Sequence, residues 1–110
     1  MRSYVLDEIS AKDIGRIRDY LDENSERSSI EDLYWLDLDP SMLSGVQEEH
    51  RECQPYCLAI ELGDHFVKFE FLVRSRVKHN CICFQYASTT QRSFVMDFAD
   101  RLITELGVRT

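Results

Sequence analysis

The sequence predicts an α+β domain, a two-layer sandwich in which a mainly antiparallel sheet carries an N-terminal and a C-terminal helix on one face. Two stretches, Ile14 to Leu21 and Phe94 to Leu106, repeat apolar residues at spacings of three and four, the period of a helix buried on one side. Three others, "LYWLDLD", "YCLAIELGDHFVKFEFLVR" and "NCICFQYA", alternate as half-buried strands do. At 110 residues, 44% hydrophobic and 30% charged, the chain suits a single domain, 1-110, with a core of its own.

Along the chain, "SYVLDEI" alternates weakly and suits a short strand. Ser10 with Asp13 three residues later resembles a capping box and opens helix 1, which runs to about Asn24 with Ile14, Ile17 and Leu21 on its buried stripe. "NSERSS" is a polar connection. In "LYWLDLD", Tyr34, Leu36 and Leu38 share one face, leaving Trp35 and Asp37 on the other. Asp39 before Pro40 caps a turn, and Ser44 with Gln47 starts a short helix that ends before Pro55.

Gly63-Asp64 predicts a two-residue hairpin loop. Leu62 then faces His65, Ile60 faces Val67 and Leu58 faces Phe69, so the bulky side chains of both strands fall on one side. "NCICFQYA" continues the meander as a third strand, with Ile82, Phe84 and Tyr86 on the core face and Cys81 and Cys83 on the second face. The last helix is capped by Ser88 or Thr89, with Gln91 completing a capping box after Ser88, and is stopped by Gly107.

Twenty acids against thirteen bases leave a net charge of -7, which repels polyphosphate and argues against nucleic acid as a partner. The basic run Arg74, Arg76, Lys78 and His79 reads as a solvated hairpin end. No apolar run approaches the roughly 20 residues of a membrane span, and acids within the first eight residues are unlike a secretory signal, so the expectation is a cytoplasmic chain. With four glycines, no phosphate-cradling loop and no nucleophile elbow, nothing specifies an enzyme or its substrate.

Chemistry would centre on Cys53, Cys57, Cys81 and Cys83, with His50 nearby. Spacings of C-x3-C and C-x-C differ from the paired C-x2-C knuckles of structural zinc sites. Residues two apart on a strand lie about 6.5 to 7 Å apart, too far for thiolates sharing one ion, so Cys81 and Cys83 converge only where the strand bends or has ended. His50 and Cys53, three apart, lie on one side of a helical turn and would have to fold over to meet them. Small, buried packing residues are the plainer expectation for these cysteines, with no cofactor implied.

On these grounds the sequence predicts a non-enzymatic protein-interaction or self-associating module. Its contact surface would be the second sheet face, with Trp35, Phe66, Leu72, Cys81 and Cys83, and its partner another protein or a second copy. The alternative is a zinc-binding or thiol-dependent module built on His50, Cys53, Cys57, Cys81 and Cys83. The small size, acidic charge and order of elements resemble the general plan of type III secretion chaperones. That resemblance implies a dimer that holds other proteins and carries no residue across.

Overall fold

Register decides which side chains meet in this molecule, and the computed structural model describes it for residues 1–110. The chain folds as an α+β protein of seven strands and three helices. Strands β1 (Ser3–Leu6), β2 (Glu26–Arg27), β3 (Leu33–Asp37), β4 (Tyr56–Leu62) and β5 (Val67–Glu70) lie in the order β1-β5-β4-β3-β2. Strand β6 (Leu72–Ser75) pairs with β4 and with β7 (Gln85–Tyr86), and every pairing is antiparallel. Helices α1 (Ala11–Asn24), α2 (Gly45–Glu49) and α3 (Thr89–Leu106) complete it, with single 3₁₀ turns at Pro40–Met42 and Arg51–Cys53.

Alternation places Tyr34, Leu36, Leu58, Ile60, Leu62, Val67 and Phe69 on one side of the sheet, and all are buried. Helix α1 adds Ile14, Ile17 and Leu21 to the same cluster, and α3 adds Val95, Phe98, Ala99 and Leu102. The Phe98 ring meets Phe69 edge-on at 6.3 Å and Tyr20 at 6.1 Å, so it joins α3 to both the sheet and α1. Each such ring pair adds roughly 0.5–1.5 kcal/mol beyond the area it buries.

The ends of the helices follow the expected chemistry. Ser10 Oγ accepts the Asp13 amide at 3.1 Å, and reciprocal capping boxes join Ser44 to Gln47 and Ser88 to Gln91. Gly107 closes α3 at φ 64°, in the left-handed region that glycine enters without strain. No helix is long and apolar enough to cross a membrane.

Three expectations need correction. The hairpin does not turn on Gly63-Asp64 alone: Leu62 faces Val67 and Ile60 faces Phe69, and Gly63 N–H donates to Phe66 C=O at 2.8 Å across a four-residue loop. Contacts from elsewhere in the chain set its size. The Ile9 amide donates to His65 C=O at 3.0 Å, His65 Nδ1 lies 2.9 Å from Ile9 C=O, and the Phe66 ring lies where a side chain on Gly63 would be. A slip of two residues preserves the face of every side chain, so the core face is as expected.

Residues 24–29 are not merely a connection, because β2 pairs there with Tyr34 and Trp35. The third strand of the meander is also much shorter than expected. Only Gln85 and Tyr86 pair with β6, and the residues before them form a turn in which Ile82 is 86% exposed and Cys83 is fully buried. Ile82 therefore faces solvent rather than the core, and neither Cys81 nor Cys83 lies on a sheet face.

Candidate metal centre

The early end of that strand is what allows Cys81 and Cys83 to converge. In a turn, residues two apart are freed from the strand spacing that would separate their sulfurs. The Phe84 amide donates to Cys81 C=O at 3.1 Å and closes the turn. The Cys83 amide points to Cys81 Sγ at 3.5 Å, an N–H···S contact that favours the thiolate.

The other half comes from residues 50–53. His50 ends α2, and the Cys53 amide donates to His50 C=O at 3.0 Å within the 3₁₀ turn. That turn presents His50 and Cys53 in one direction, towards the cysteine turn. One ligand atom from each of His50, Cys53, Cys81 and Cys83 lies within 4.8 Å of all the others, and His50 Nδ1 is 3.2 Å from Cys81 Sγ. Around a tetrahedral ion with bonds of about 2.3 Å, sulfur atoms sit about 3.8 Å apart, so the four donors need move by less than roughly 1 Å. This cluster could hold a metal ion.

Burial governs the electrostatics. Cys53 and Cys83 are fully buried, while Cys81 and His50 are half-buried at the rim. Burial, reinforced by the neighbouring sulfurs of Cys83 and Cys81, pushes the Cys53 thiol up to about 12. Cys81 is drawn down to about 7, chiefly by the Cys83 amide and then by the Cys83 thiol. The buried Tyr56 hydroxyl is pushed up by desolvation and by Cys83, and it donates to His50 C=O at 3.3 Å. Three thiolates packed this closely repel one another, and a divalent cation among them reverses the sign of that interaction.

Cys57 is not among them. It lies on β4 opposite Asp37 and Arg74, on the sheet side away from the core cluster, and burial pushes its thiol up to about 12. Nearby carboxylates have ordinary partners. Asp37 is paired with Arg76 at 2.9 Å, Asp39 caps the Ser41 amide at 2.9 Å, and Glu61 meets Lys68 at 3.5 Å. Of the expected contact residues, Trp35 and Leu72 are half-buried on the second face, Phe66 is half-buried in the hairpin loop over Gly63, and Cys83 is enclosed.

The four-donor set H-x2-C with C-x-C was present in the sequence, masked by the strand assignment. One signal against that strand was available: "RSRVKHN" is too long and polar for a tight reversal. Comparison with protein-family models, curated proteins and solved structures finds no match.

Proposed function

We propose that this protein is a small zinc-stapled module in which the ion is structural and fastens the turn at 81–83 to the turn at 50–53. The observation that carries the reading is the convergence of His50, Cys53, Cys81 and Cys83 within 4.8 Å. One imidazole and three thiolates match zinc, whereas calcium and magnesium take oxygen donors. Four protein donors fill a tetrahedral shell and leave no position for water or substrate, which separates a structural site from a catalytic one. A reducing, cytoplasmic setting fits this reading, since the site needs free thiols.

Metal analysis of protein purified without chelator tests it, with about one equivalent of zinc expected. Less than roughly a tenth of an equivalent, with no uptake on adding zinc to reduced protein, overturns it.

A second reading, a contact with another protein or a second copy, is supported by the second sheet face. Trp35 and Leu72 are half-buried there, Val5 is 46% exposed, and the helices give their buried residues to the opposite side. Light scattering across a concentration series tests the self-associating form, and a monomer throughout removes it.

A further inference from the structure

Strand β2 pairs with only Tyr34 and Trp35 of β3, so β3 continues past Trp35 with no strand outside it. A cavity of about 700 Å³ opens beside that bare edge, bounded by the end of α1, by β3 and by the first half of α3. Its apolar lining residues include Tyr20, Trp35, Phe94 and Phe98. Four carboxylates, Glu23, Glu26, Asp37 and Asp97, also line it, against the single guanidinium of Arg101.

These carboxylates are not equivalent. Glu26 and Asp37 share Arg76, whereas Glu23 and Asp97 have no cationic partner. Aromatic faces attract a cation through the ring quadrupole, and unpaired carboxylates supply the opposite charge. A guanidinium suits both, because it is planar, stacks on rings and pairs in two-pronged fashion with carboxylates. The -7 charge of the whole chain draws such a group in from a distance.

We propose that this cavity docks an arginine-bearing segment of a partner protein, with the guanidinium beside Tyr20 and Phe94 and paired with Glu23 or Asp97. The site is independent of the metal centre, as the two share no residue.

Trp35 is the only tryptophan and belongs to the strand edge that lines the cavity, so its fluorescence serves as the reporter of occupancy. The probe is a capped Gly-Arg-Gly-Arg-Gly peptide, with the same peptide carrying citrulline as the uncharged control. Saturable Trp35 quenching by the arginine peptide is expected, with binding at least tenfold weaker for citrulline and for Asp97→Asn combined with Glu23→Gln. Glu31→Gln, an equal loss of charge per site at an exposed position outside the cavity, should bind as the parent does. The absence of saturable quenching overturns the proposal, as does equal weakening in Glu31→Gln, which would reduce the effect to net charge. A concentration-dependent dimer abolished by Asp97→Asn also overturns it, by giving the cavity to a second copy. All variants are exposed polar replacements, and their circular dichroism melts check folding.

Discussion

Cys53 and Cys57 are four residues apart, equally buried, and their thiols are both pushed up to about 12, yet their surroundings differ completely. Cys53 meets two sulfurs and an imidazole; Cys57 lies between Asp37 and Arg74 across the ladder. Zinc stoichiometry should therefore stay near one equivalent in Cys57→Ala and fall below roughly a third in Cys83→Ser, measured on reduced protein by metal analysis. Equal loss in both variants would place Cys57 in the site. Gly63 is the other position where one atom matters, because the Phe66 ring occupies the space of a side chain there. Gly63→Ala should cost roughly 1–3 kcal/mol in urea unfolding, as overpacking does, and Phe66→Ala in the same chain should recover most of it. At this scale the sequence was legible where periodicity alone decides burial, as for Ile14, Ile17 and Leu21. It was not legible for Cys83, whose burial depends on a segment thirty residues earlier.

Two capping glutamines show how elements are joined. Gln91 completes the box of α3 and Gln47 that of α2, and both are buried. Gln91 Nε2 donates to Gln47 Oε1 and to Met42 C=O, each at 2.9 Å, so the starts of the two helices are tied together. Through α2 this tie also fixes His50 and the first half of the metal centre. Gln91→Ala removes its own cap and leaves two acceptors short of a buried donor. It should cost roughly 2–3 kcal/mol in chemical denaturation, well above the cost of Gln85→Ala on the exposed strand β7. A cost below about 0.5 kcal/mol would mean that α2 relaxes and that the tie is not needed. Both boxes were readable in advance because serine and glutamine three apart act locally. The tie between them was hidden, since nothing local indicates which buried amide a second glutamine will meet. For the same reason the hairpin was assigned too tight a loop: its width is set by Ile9 and Asp32, which donate to or accept from residues 62–65 across the sheet.

In the molecule as a whole, the proposed zinc site would share with the core the work of holding the chain. Most of the hydrophobic cluster comes from α1, α3 and strands β3 to β5, and of the cysteines only Cys53 and Cys83 join it. The stretch from Val77 to Ile82 has little else to hold it: Val77, Lys78, His79 and Asn80 are exposed, and the strand that follows is two residues long. A metal ion bound there would join two segments distant in sequence, a constraint that disfavours the unfolded chain by closing a loop and adds ligand bonds in the folded one. Removing zinc should therefore release the staple without dissolving the sheet. With a strong chelator, amide exchange should quicken at least tenfold across residues 50–54 and 76–86 while α1, α3, β4 and β5 keep most of their protection, and added zinc should restore the rates. Such a pattern follows from where the apolar area lies, because local opening costs only the contacts that the opened segment makes. If chelation instead melted the entire chain in one step, the ion would be required for the core itself. If exchange did not change anywhere, the four donors would be a packed cluster of side chains with no ion to lose.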